Sequence, residues 1–166
     1  MRSCAGPDGK RSLRNIDIIK NHFVRLLYFR SNYLWRGIDR PDPKTTDVPA
    51  FSDVKETDYY YEAVRWAASY GITTGYTGTD KFGPDDPCTR AQIVTFLYRF
   101  NQVVGWFPDE TAENTFSDVK DGQFYTKPVL WAVNYGITTG YTGTDLFGTN
   151  DICTRGQVVT FIYHMD

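Results

Sequence analysis

The chain has 166 residues, enough for one domain of ordinary size or a small array of sub-domains whose core needs neither metal nor disulfides. Its net charge of −2 conceals an asymmetry: residues 1–36 carry eight Lys or Arg against two Asp, so the remainder is strongly acidic. An acidic body argues against nucleic acid as the main partner, and no stretch approaches the roughly 20 apolar residues of a membrane span. Twelve Tyr, eleven Phe and four Trp exceed what a core of this size needs, and suit a surface that binds sugar or protein.

Residues 1–50 form a basic head. Ile16, Ile18, Ile19, Phe23, Leu26 and Leu27 have the spacing of an amphipathic helix, and Leu34-Trp35-Arg36-Gly37 runs into a connector containing Pro and Asp. The apolar run from Phe23 to Phe29 is short and interrupted by Arg25, unlike a signal peptide. The head reads either as a degenerate or truncated copy of the unit that begins at Phe51, plus a linker, or as unrelated sequence.

From Phe51 onward the chain is an internal repeat. Residues 51–100 align without a gap on 116–165, with identity at 31 of 50 positions, and 101–115 reads as a linker containing Pro108. Each unit begins Phe-Ser-Asp-Val and proceeds to a first helix, with apolar stripes Tyr60, Ala63, Val64, Ala67 and Tyr125, Pro128, Val129, Ala132. Because proline is tolerated only in the first helical turn, Pro128 keeps the second copy of this helix from beginning much before Thr126. Gly71-Ile72 and Gly136-Ile137 have the pattern of a left-handed glycine cap with a hydrophobic residue folding back. Glycine-rich loops come next, Thr73 to Pro84 and Thr138 to Gly148, with room for at most a short strand pair.

Each second helix opens on a repeated stretch, Cys88-Thr89-Arg90-Ala91-Gln92 and Cys153-Thr154-Arg155-Gly156-Gln157, ahead of the apolar sets Ile93, Val94, Leu97 and Val158, Val159, Ile162. Thr and Gln three apart spell a capping box. The arginine is different: a cation in the first turn meets the positive end of the helix dipole, so another interaction must hold it there. Cys88 and Cys153, at equivalent positions, read as small buried hydrophobes rather than as a disulfide or reactive thiols.

Catalysis finds little support. His22 and His164 lack an evident nucleophile or orienting acid, and there is no phosphate loop and no Cys-x-x-Cys pair. Asp80, Asp85 and Asp86 lack the alternating oxygen ligands of a calcium loop. No catalytic residue, metal or cofactor is expected.

The order Phe-x-Asp-Val, Tyr-x-x-Ala-Val-x-Trp-Ala-x-x-x-Gly-Ile, then Gly, Phe, Pro and Thr-Arg-Ala-Gln resembles the S-layer homology family over both repeats. The resemblance implies a mainly α fold of tandem helix-loop-helix repeats, part of a pseudo-threefold bundle with short irregular or β-like loops. It also implies a non-catalytic anchor in the cell wall or S-layer of a bacterial envelope, outside the cell. Its partner would be a secondary cell-wall polysaccharide, often carrying pyruvate ketals, bound in grooves between neighbouring units. Arg90 and Arg155 match the arginine that the family offers to the acidic sugar. The chain departs from the family in having Gln92 and Gln157 where Glu is usual, Gly156 for Ala, and two recognisable repeats where three are usual. The alternative function is a structural interaction module, completed as a homo-oligomer or by a third repeat from another chain.

Two readings stay open for the arginines. Each guanidinium projects past its helix start into the space between units, where its planar fork suits a carboxylate of a ligand or an ion pair with Asp53, Asp85 or Asp118. Trp66 and Trp131, each four residues before a tyrosine, could stack on a sugar or pack against the next unit. Tyr76 and Tyr141, flanked by loop glycines, have fewer core obligations and are candidate ligand contacts. The candidate binding set is therefore Arg90, Arg155, Gln92, Gln157, Tyr76, Tyr141, Trp66, Trp131, Asp53 and Asp118.

Overall fold

The computed structural model describes residues 48–103 and 113–165, so the expectations for the basic head lie outside the described residues. Four helices are present among them: α1 (Tyr61–Ser69) and α2 (Arg90–Val103) in the first repeat, α3 (Thr126–Asn134) and α4 (Arg155–His164) in the second. The described residues form no strand, only an isolated antiparallel bridge between Thr89 and Ile152, in keeping with a mainly α fold. No described helix is long and apolar enough to cross a membrane.

The helix ends follow from local chemistry. α3 starts at Thr126 and places Pro128 in its first turn, where the missing N–H has no helical partner to lose. Gly71 and Gly136 adopt φ of 67° and 68° after α1 and α3, a conformation that disfavours any side chain. In each case the next isoleucine folds back: Ile72 N–H donates to Ala67 O at 2.9 Å and Ile137 N–H to Ala132 O at 2.8 Å. Both isoleucines are buried. The two capping boxes form as spelled. Gln92 N–H donates to Thr89 Oγ1 at 3.2 Å while Thr89 N–H donates to Gln92 Oε1 at 2.8 Å, and Thr154 with Gln157 repeats the exchange.

One boundary is corrected. Residues 101–103, read as the start of the linker, complete α2: Asn101 is buried and its side-chain amide donates to Leu97 O at 3.1 Å, which lets a polar residue continue the helix.

Asp53 and Asp118 organise the loops between helices. Asp118 accepts from the amides of Phe147, Gly148 and Thr149 at 2.8, 2.8 and 2.9 Å, and Asp53 accepts from Phe82 and Gly83 at 2.9 and 2.8 Å. Each clamps the Phe-Gly turn against the start of its own repeat. The Phe82 amide, partly opposed by desolvation, holds the Asp53 carboxyl below its ordinary range. For Asp118, burial alone would raise the pKa, and the amides of Thr149, Phe147 and Gly148 outweigh it. A depressed carboxylate stabilises the fold above its unfolded pKa, and that contribution is lost as pH falls through the folded one. Asp118→Asn is therefore expected to cost about 1–2 kcal/mol at neutral pH, a figure kept low by partial exposure, and to differ progressively less from the parent as the pH is lowered past the ordinary carboxylate value of 3.8. Urea unfolding across that pH range measures the difference.

The main helix packing crosses the repeat boundary, α2 lying against α3 and touching α4. This gives equivalent helices opposite environments. In α2, Arg90, Ala91, Ile93, Val94, Leu97, Tyr98 and Phe100 are buried, whereas in α4 only Phe161 is. Tyr98 packs edge-on against Trp131 with ring centroids 5.5 Å apart, and Trp131, Phe147, Leu97 and Val94 form the innermost layer.

Candidate functional site

Arg90 is 3 % exposed, so it is interior, although it is the first residue of its helix. Its guanidinium carbon lies 4.7 Å from the centroid of Tyr141, 5.0 Å from Phe147 and 5.3 Å from Phe161, a cage built wholly by the second repeat. Its Nε–H donates to Phe147 O at 2.9 Å. Three ring faces and a carbonyl supply the negative potential that the helix start denies to a cation. The backbone reinforces the seat, with Arg90 N–H donating to Asp151 O at 2.9 Å and Cys153 N–H to Cys88 O at 3.0 Å. The arginine does project into the space between units, as its position in the helix predicts. Among the described residues its side-chain partners there are three aromatic rings and the Phe147 carbonyl, in place of Asp53, Asp85 or Asp118.

The same geometry corrects other expectations. Trp131 is fully buried, so it packs between repeats and presents no face to a sugar. Tyr141 is half-buried beneath Arg90, and Asp53 and Asp118 are engaged with loop amides. Trp66, the counterpart of Trp131, is half-buried beside Tyr70 at 5.5 Å. Arg155, the counterpart of Arg90, is exposed. Gln157 is half-buried in its capping box.

Two of the expected residues meet in a groove of about 220 Å³ on the first repeat. Tyr76 and Gln92 line it together with Phe82, Phe96, Arg99 and, from the second repeat, Phe124. Gly83 shapes this wall: it has φ of 70°, and a side-chain carbon there would stand 2.5 Å from Tyr76 and from Asp86. The Tyr76 hydroxyl donates to Asp86 Oδ2 at 2.8 Å, which fixes the ring and keeps the phenol protonated above its ordinary range. Arg99 donates to Ile72 O at 3.2 Å, and burial lowers its pKa without removing its charge at neutral pH. Tyr76 and Phe124 remain 39 % and 57 % exposed, so the groove has two aromatic surfaces within reach of a ligand.

Arg99 and Phe96 lie outside the binding set expected from sequence. The signal for them was the repeat itself: Tyr76, Phe82 and Phe96 recur as Tyr141, Phe147 and Phe161, and Arg99 recurs as another nitrogen donor, His164, whose Nδ1 lies 3.1 Å from Ile137 O. The cysteines flank the repeat interface, half-buried, and desolvation raises both thiols. They are protonated at neutral pH, as expected of packing residues.

The sequence profile of the S-layer homology domain matches residues 50–94 and 115–159, together more than half of the chain. The chain belongs to the S-layer homology family. Both matched segments carry a Thr–Gln capping box and an aspartate-clamped loop, the two features on which the inter-repeat seat depends. As S-layer homology repeats they constitute a cell-surface anchoring module, which is a non-catalytic role. Among curated relatives, a cell surface protein of Thermoanaerobacter kivui is 31 % identical over 118 residues, covering 68 % of this chain and 15 % of that protein. The exoglucanase XynX of Acetivibrio thermocellus is 30 % identical over 115 residues, covering 68 % of this chain and 10 % of its own length. An amylopullulanase of Thermoanaerobacterium thermosulfurigenes is 31 % identical over 90 residues, covering 54 % and 4 %. The chain thus spans a small part of each relative. No solved structure matches it significantly.

Proposed function

We propose that the two repeats hold a surface protein to an anionic secondary cell-wall polysaccharide, pyruvylated in the simplest case, and that the groove on the first repeat is the binding surface. The observation that carries this reading is the convergence of exposed Tyr76 and Phe124 with the Arg99 cation and the Gln92 amide around one groove. Aromatic faces suit the apolar faces of sugar rings, and a half-buried guanidinium suits a ketal carboxylate. The names of the relatives, a surface protein and two polysaccharide-degrading enzymes, support a role in attachment to the wall. The two repeats supply two of three parts of a pseudo-threefold body, with units 51–100 and 116–166 joined by the intervening linker.

The test is retention on purified wall polymer. Arg99→Gln keeps a donor for Ile72 O and removes the charge; together with Tyr76→Ala it is expected to weaken retention by a factor of about ten or more. Mild acid, which hydrolyses ketals, is expected to weaken binding of the parent to a similar extent. Retention unchanged by both treatments would remove the groove from consideration. Because few cations are involved, binding should also survive salt better than a polybasic contact would.

A further inference from the structure

The isolated antiparallel bridge between Thr89 and Ile152 joins the two stretches that lead into α2 and α4. It is framed by two hydrogen bonds, Arg90 N–H to Asp151 O at 2.9 Å on one side and Cys153 N–H to Cys88 O at 3.0 Å on the other. These bonds fix the register, and the register sets Cys88 directly opposite Cys153. The two cysteines hold the same position in their repeats, so one repeated residue supplies both members of a cross-repeat pair.

Opposed residues of an antiparallel pair send their side chains to the same face. A hydrogen-bonded pair has Cα atoms about 5.5 Å apart, inside the span of roughly 4.4–6.8 Å that a disulfide bridges. The Cβ atoms, about 5 Å apart in such a pair, need to close by about 1 Å. Both cysteines lie just outside their helices, where so small a shift breaks no helical hydrogen bond. Both thiols are free and half-buried. Burial raises the Cys153 thiol, with Arg90 opposing the rise and Cys88 adding to it, so the two sulfurs also sense each other.

We propose that Cys88 and Cys153 form a disulfide that staples the two repeats beside the Arg90 seat, made by exchange with a small-molecule disulfide of the glutathione class. One cysteine thiolate attacks glutathione disulfide, forms a mixed disulfide and expels a glutathione thiolate. The other cysteine thiolate then attacks the protein sulfur of that mixed disulfide, forms the Cys88–Cys153 bond and expels the second glutathione. Two electrons pass from the cysteine pair to glutathione disulfide, and the two thiol protons end on the released glutathiones. The bond closes a loop running through α2 and α3, which restricts the unfolded chain far more than the folded one. By linkage, the factor by which the bond favours folding is also the factor by which folding favours the bond. A cell surface is a setting in which such a bond persists. The reduced pair simply packs, and the inference is independent of polymer binding.

The test uses the whole chain carrying Cys4→Ser, equilibrated at mildly alkaline pH with glutathione and glutathione disulfide in graded ratios. Intact mass and peptide mapping follow the thiols. The expected product is a monomer lighter by two hydrogens, with peptides joined through Cys88 and Cys153. Its Tm should exceed that of the reduced chain by roughly 5–15 °C. Adding Cys88→Ala or Cys153→Ala should abolish that rise. In strong urea the same equilibration should favour the bond roughly a hundred-fold less. The parent, mapped in parallel, should join the same two residues and leave Cys4 out. A persistent glutathione adduct on either cysteine, a disulfide between chains, or a preference for Cys4 in the parent would each overturn the proposal. So would a bond that forms equally well in urea or leaves Tm unchanged.

Discussion

Arg90→Ala is expected to destabilise the protein by about 3–4 kcal/mol, while Arg155→Ala, the same change in the same repeated motif, shifts stability by less than about 0.5 kcal/mol. The first removes a desolvated guanidinium from three ring faces and leaves Phe147 O without its donor in the interior. Each of those losses is worth about 2 kcal/mol when water cannot compensate. The second removes an exposed side chain, for which water screens whatever charge it meets. Arg90→Lys should recover only part of the loss, because an ammonium keeps the charge but lacks the planar face that stacks on rings and the Nε–H that reaches the carbonyl. Urea unfolding of the three variants measures the series. Equal costs for Arg90→Ala and Arg155→Ala would mean that the cage does not stabilise the fold.

Trp131→Ala is expected to cost about 3–5 kcal/mol and to lower Tm by roughly 10 °C or more, with Trp66→Ala costing less than half as much. Trp131 is fully buried, and its removal opens a cavity among Tyr98 and the other residues that join α2 to α3. Trp66 is half-buried, so part of the space it leaves fills with water at little further cost. Because the lesion lies at the repeat boundary, Trp131→Ala should also loosen the Arg90 seat. A double substitution with Arg90→Ala is therefore expected to cost less than the two single losses combined. Thermal unfolding of the two tryptophan variants and the double variant checks both statements.

The aspartates, tryptophans and arginines show where a sequence reading gains and loses its hold. Asp53 and Asp118 stand out in the pattern, yet their partners are amides some thirty residues away in the Phe-Gly turn, a pairing set by how the loop folds back. Trp66 and Trp131 are the same residue in the same local pattern, and among the described residues only Trp131 has another repeat's helix laid over it. The groove was half legible. Tyr76 and Gln92 were recognisable as loop and cap residues, whereas Phe96, Arg99 and Phe124 join them only because the loop lies along α2 and the second repeat begins nearby.

By itself the sequence determined the repeat, its family, the four helices of the described residues, and the start and stop signals of those helices. Those features depend on groups a few residues apart: a threonine and a glutamine closing a cap, a glycine that turns the chain left-handed, a proline that cannot lie deeper than the first turn. What the tertiary structure alone decided is the fate of two identical arginines. Arg90 is enclosed because a second repeat stands against α2, and Arg155 is exposed at the equivalent position on α4. Capping is a local exchange of hydrogen bonds, whereas desolvation depends on what the rest of the chain brings to the opposite side.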